Sequence, residues 1–150
     1  MRGYPRRFVA VVWAALGLLW LSGAALIPGA LERRLDWDVF VQLPRGSGLA
    51  VSATHAFVAF TMLFLFGALA PVHIRGGWRR RENRVTGAIL VTSFAALALS
   101  ALGVYYLADE TSGLLASLIH LAIGCALAVP VAVHVILRPR RAVHPSRQVA

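Results

Sequence analysis

The sequence predicts an all-α membrane protein, a single domain in which four helices cross a bilayer as a bundle. Three observations carry this expectation. Hydrophobic side chains make up 59% of the 150 residues and mean hydropathy is +0.72, above the roughly half-apolar composition of soluble domains. The apolar residues gather into four uncharged runs, each of about twenty residues or more, the length a helix needs to span hydrocarbon. All fifteen basic residues are Arg, and all lie between or outside those runs. In a soluble chain a net charge of +9 would point to nucleic acid; placed like this, it sets membrane topology.

The elements follow in order. Met1 to Arg7 is a short basic head, and Phe8 to Ile27 is uncharged. Arg2, Arg6 and Arg7 followed by the small residues Ser22-Gly23-Ala24 also suit a secretory signal. The run is longer than a signal core of roughly 7–15 residues and is read instead as helix 1, about 8–27. Pro28 and Gly29 are expected to end it. The outer loop, 28–48, contains a mixed segment from Leu31 to Leu43 whose apolar residues recur at 31, 35, 39 and 43. This spacing suggests a short amphipathic helix in the interface, anchored by Trp37 and covering the helix ends. Helix 2 is expected over about 49–74, an inner basic loop over 75–84, and helix 3 over about 85–107. Helix 3 is rich in Ala, Ser and Gly, which favours close helix approach, and ends at the interfacial pair Tyr105-Tyr106. A short acidic outer loop (108–112), helix 4 (about 113–137) and a basic tail (138–150) complete the chain. The single cysteine, Cys125, lies inside helix 4 and is assigned to packing, since one thiol cannot close an intramolecular disulfide.

Charge fixes the expected orientation. The head, the helix 2–3 loop and the tail hold twelve of the fifteen Arg, whereas five of the six acids lie on the opposite side. Both termini are therefore expected in the cytoplasm of a bacterial inner membrane. Helices 2 and 4 then run parallel and face each other.

Those two helices carry four of the five histidines, and ionisable residues inside a membrane point to function. His120 and His134 are fourteen residues apart, close to four helical turns and roughly 21 Å of rise. On helix 2, Ser47-Gly48-Leu49 precedes His55 as Ser112-Gly113-Leu114 precedes His120, and His73 closes the run. The parallel arrangement pairs His55 with His120 at the outer side and His73 with His134 at the inner side. The inner match is less regular, because eighteen residues separate His55 from His73, roughly 27 Å of rise. A tilt of helix 2, or a kink at Pro71, would absorb the difference. His144, in the tail, is expected to be solvated.

Two opposed neutral imidazoles within an apolar bundle suit axial ligation of haem iron. With His on both sides, no position stays open for oxygen chemistry, which suits electron transfer. Two haem b groups per chain are expected, one on each pair. Arg75 follows His73 by two residues and Arg138 follows His134 by four, within reach of haem propionates; arginines at a cytoplasmic boundary are equally explained by topology. Met62 lies seven residues from His55 and is assigned to core packing.

The four-helix arrangement, with its ligands on the second and fourth helices and the fourteen-residue spacing of His120 and His134, resembles the haem-binding core of cytochrome b in respiratory bc complexes. More broadly it looks like the small bacterial b-type membrane cytochromes, including the cytochrome b-561-like proteins and the gamma subunits of formate dehydrogenases. The entry to helix 3, Asn83-Arg84-Val85-Thr86-Gly87, and its Tyr105-Tyr106 exit are similar to such domains. This resemblance implies an electron-transfer subunit of an oxidoreductase complex, working between a quinone or quinol pool and a soluble flavin or iron–sulfur partner. Two other classes fit the histidines differently. A divalent-metal or proton transporter would use them as ligands or relays, but its usual membrane carboxylates are missing from the four apolar runs. A structural anchor or assembly subunit would use them only as hydrogen-bonding groups.

Overall fold

The computed structural model describes residues 3–137. Among them there is no strand, and four helices are long and apolar enough to cross a membrane.

The first span, α1 (Arg6–Leu35), runs through Pro28 rather than stopping there. Proline deprives one carbonyl of its usual donor, but a spanning helix tolerates this where neighbouring groups compensate. Asp36 ends it in the left-handed region (φ 51), its amide bonded to the Glu32 carbonyl. The expected amphipathic segment is thus split: Leu31 and Leu35 belong to α1, and residues 36–47 form no α-helix. Its four-residue rhythm nevertheless matches burial, since Leu31, Leu35, Val39 and Leu43 are half-buried and the residues between them are exposed, Trp37 included.

The second span begins at α2 (Gly48–Leu69), after a turn in which the Ser47 amide and hydroxyl both donate to the Pro44 carbonyl. It passes into a π turn (Ala70–Ile74), where the Arg75 amide bonds back to the Ala70 carbonyl, and then into α3 (Arg75–Arg79). Residues 75–79, expected in the basic loop, therefore continue the helix. Pro71, which has no amide hydrogen, lies where the ladder widens from the α to the π register. The chain then reverses through Arg81 and Asn83, both at positive φ. The Arg84 guanidinium seals this turn by donating twice to the Trp78 carbonyl while lying 5.1 Å from the Trp78 ring centre.

The third span is α4 (Arg84–Tyr106). The fourth is α5 (Glu110–Ala126) followed by α6 (Ala128–Ile136), interrupted at Leu127, three residues before Pro130. Pro130 cannot donate to the Ala126 carbonyl, which accounts for the interruption. Asp109 caps α5, accepting from both the amide and the hydroxyl of Ser112 at 2.8 Å. These hydrogen bonds, the amide first, hold its carboxyl below the ordinary aspartate range.

Packing divides the bundle into two hairpins. α1 lies along α2, and α4 lies along α5 and α6, with a smaller contact from α1 to α5. In the first hairpin Val12 and Ala15 meet Val58, Met62 and Leu69, which places Met62 in the core. In the second, α4 and α5 come so close that a Cβ on Gly103 would lie 2.8 Å from that of Ala116. Small residues permit such an approach where lipid provides little hydrophobic drive for helix association. Backbone contact between α2 and α5 is slight, and side chains reach across between them.

Candidate functional site

The side chains that reach across are the histidines. His55 on α2 and His120 on α5 have ring centroids 6.3 Å apart with an interplanar angle of 81°. His73 in the π turn and His134 on α6 are 6.0 Å apart at 75°. All four rings are half-buried. The pairs occur in the same order along the second and fourth spans, so each hairpin supplies one ring to each pair.

Each outer ring is held from behind by the other helix of its own hairpin. Ser22 on α1 places its hydroxyl 3.0 Å from His55 Nδ1, and Ser100 on α4 places its own 3.0 Å from His120 Nδ1. The Ser22 hydroxyl lies 3.1 Å from the Leu19 carbonyl, and the Ser100 hydroxyl lies 3.1 Å from the Leu97 carbonyl, itself 3.1 Å from His120 Nδ1. At the inner pair, Thr86 on α4 has its hydroxyl 2.9 Å from His134 Nδ1, and the Asn83 amide approaches the His134 carbonyl at 3.5 Å.

These contacts decide which ring nitrogen carries the proton. A carbonyl only accepts, so His120 Nδ1 must be the donor to Leu97. A serine hydroxyl has a single hydrogen, and that of Ser22 points to the Leu18 carbonyl at 2.7 Å. Ser22 is therefore left to accept from His55 Nδ1–H. The Thr86 hydroxyl lies 3.2 Å from the Asn83 carbonyl and 2.9 Å from His134 Nδ1, and orients the third ring. In both outer rings Nε2 keeps its lone pair, the tautomer that binds metal through Nε2 while Nδ1–H fixes the ring orientation. In the outer pair both rings are in this form, so neither Nε2 can hydrogen-bond the other.

Glycines complete the setting. A Cβ on Gly23 would lie 3.0 Å from His55 Cε1, and one on Gly87 would lie 3.8 Å from His134 Cε1. Hydroxyl–glycine dipeptides, Ser22-Gly23 and Thr86-Gly87, thus sit against His55 and His134. Thr54, the hydroxyl beside His55 in sequence, bonds instead to the Ala50 carbonyl of its own helix.

The spacing of two imidazoles that share one ion can be worked out. With about 2 Å from each nitrogen to the ion and about 1.1 Å from nitrogen to ring centre, the centroids stand roughly 6 Å apart. The observed 6.3 and 6.0 Å agree with that value. Among the described residues no group of three or more His, Cys, Asp or Glu side chains comes together, so each pair offers an ion two protein ligands. Arg75 is exposed at the start of α3, two residues after His73, while Arg138 and His144 lie outside the described residues.

The sequence reading singled out Thr86 and Gly87 only as part of the helix 3 entry motif and Ser22 and Gly23 only as small residues, and assigned none of Ser22, Gly23, Thr86, Gly87 and Ser100 to the support of a histidine. One signal for them is present: Thr86 and Ser100 are fourteen apart, as are His134 and His120 on the antiparallel neighbour. Comparison with protein-family models, with curated proteins and with solved structures returns no match to this chain.

Proposed function

We propose that the chain is a b-type cytochrome of a bacterial inner membrane, an electron-transfer subunit with two haem b groups. His55 and His120 would hold the outer haem iron, and His73 and His134 the inner. The observation that carries this reading is the pair of ring separations near 6 Å, taken with Nδ1 engaged by hydroxyls and carbonyls at three of the four rings. Two ligands per ion fit a metal whose remaining positions are filled by a porphyrin, whereas a bare divalent ion usually takes three or four protein ligands. The slight backbone contact between α2 and α5 suits a flat group inserted at the level of the rings.

In this reading the group, when bound, supplies reversible one-electron iron chemistry. The protein orients the imidazole planes through Ser22, Ser100 and Thr86. The pairs are separated along α5 and α6 by fourteen residues, roughly 21 Å, a relay across the bilayer. The Arg distribution supports cytoplasmic termini and parallel second and fourth spans, and Arg75 and Arg138, close in sequence to His73 and His134, would be the candidates to pair with the inner haem propionates. A quinone or quinol pool on one side and a soluble redox subunit on the other are the proposed partners.

The test is haem stoichiometry on the detergent-purified chain, by pyridine haemochrome assay with a reduced-minus-oxidised spectrum. Two b haems per chain are expected, falling to one in His120→Gln. A chain made with ample haem that binds none would overturn the reading.

A further inference from the structure

The inner pair poses a geometric problem that the outer pair does not. In regular α geometry His73 would climb roughly 27 Å from His55, against roughly 21 Å between His120 and His134. The rings of His73 and His134 nevertheless meet at 6.0 Å. His73 is the fourth residue of the π turn. A π turn takes up about one extra residue without a matching rise, which draws His73 back by roughly 1.5 Å toward the level of His134, one part of the difference. Such turns are rare and collect at functional sites. One that persists needs support.

Support comes from the beginning of the chain. Gly3 lies against the π turn at φ +90, so close that a Cβ there would be 3.1 Å from Val72 Cγ1. Beside it, the Tyr4 hydroxyl donates to the Ala68 carbonyl at 2.7 Å, a bond between residues 64 apart. The Tyr4 ring stacks on Phe8 at 4.6 Å, and both pack on the core cluster that includes Leu69. Pro71 acts from inside, because it cannot supply the amide that would restore the α ladder.

We infer that Gly3 and Tyr4 form a clasp on the π turn and, with Pro71, act as positioning residues that set His73 opposite His134. This inference rests on the cytochrome reading. It assigns a function to the N-terminal segment, which otherwise serves only as a charged head.

The test uses the full-length holoprotein with Tyr4→Phe, which keeps the ring stack and removes the hydroxyl, and Gly3→Ala, which opposes the positive φ and the close approach. Redox titration of the α-band and electron paramagnetic resonance of the oxidised haems are recorded, and the inner signal is the one lost in His73→Ala. Both variants are expected to shift the inner midpoint and its resonance, or to lower the haem count from two to one. The outer signal should stay in place and reports that the chain is folded. Unchanged inner signals in both variants, or equal disturbance of both haems, would overturn the clasp while leaving the cytochrome intact. A wild-type chain without haem would overturn the cytochrome reading and the clasp with it. A wild-type chain whose one haem survives His73→Ala would overturn the clasp and the inner site.

Discussion

Ser22→Ala tests the support of the outer pair most directly. Ser22 is 7% exposed, and its hydroxyl joins the Leu18 carbonyl of its own helix to His55 Nδ1 on the next. Alanine fits the same space and removes only the acceptor. The loss should be that of one ordinary hydrogen bond, about 0.5–1.5 kcal/mol. At about 1.4 kcal/mol per factor of ten, haem bound as proposed should leave the outer pair roughly two- to tenfold faster. The assay is the rate of haem transfer to excess apomyoglobin, with the two sites distinguished by their spectra, and Ser22→Thr should restore the slow rate. An unchanged rate in Ser22→Ala, or equal acceleration at both sites, would refute the assignment of Ser22 as the Nδ1 acceptor.

The glycines and the α5 cap give two further tests. Gly23→Ala brings a methyl to 3.0 Å from His55 Cε1, so the ring must shift by a few tenths of an ångström, whereas Gly87→Ala meets His134 at an ordinary 3.8 Å. With haem bound as proposed, the first is expected to move the outer midpoint and the second to leave the inner one in place; the reverse order would contradict the close approach at Gly23. Asp109 has its pKa lowered on folding, so its contribution to the start of α5 is present above the unfolded aspartate value and is lost as pH falls through the folded one. The Ser112 amide resonance should titrate below 3.8, the ordinary aspartate value, and lose that titration in Asp109→Asn. A midpoint at or above 3.8 would show that the cap does not form.

The site was legible in the sequence to the extent that it follows from spacing. Fourteen residues between His120 and His134, and the shared Ser-Gly-Leu lead into His55 and His120, are local patterns that helical geometry turns into faces and depths. The hydroxyls were not legible in the same way. Thr54 is the nearest hydroxyl to His55 in sequence, yet a threonine within a helix readily bonds the carbonyl one turn back, and Thr54 does so. The residue that serves His55 is Ser22, thirty-three positions away. Helix ends behaved similarly: Pro28 reads locally as a stop, but a span that must keep its backbone bonded away from water continues through it.

The sequence by itself determined the element count and a composition suited to a membrane, because runs of uncharged apolar residues long enough for hydrocarbon, separated by charged loops, leave few alternatives to four long apolar helices. It also singled out the four histidines of those runs as candidate site residues. Tertiary structure decided how those side chains are used. Only the packing of α1 on α2 and of α4 on α5 and α6 shows that hydroxyls stand behind three imidazoles. Only the tertiary structure shows that unequal spacings of eighteen and fourteen residues still bring both pairs of rings to about 6 Å, with the π turn taking up about one residue of the difference. Tautomer and ring position depend on contacts between helices distant in sequence, and residue spacing along one helix does not specify them.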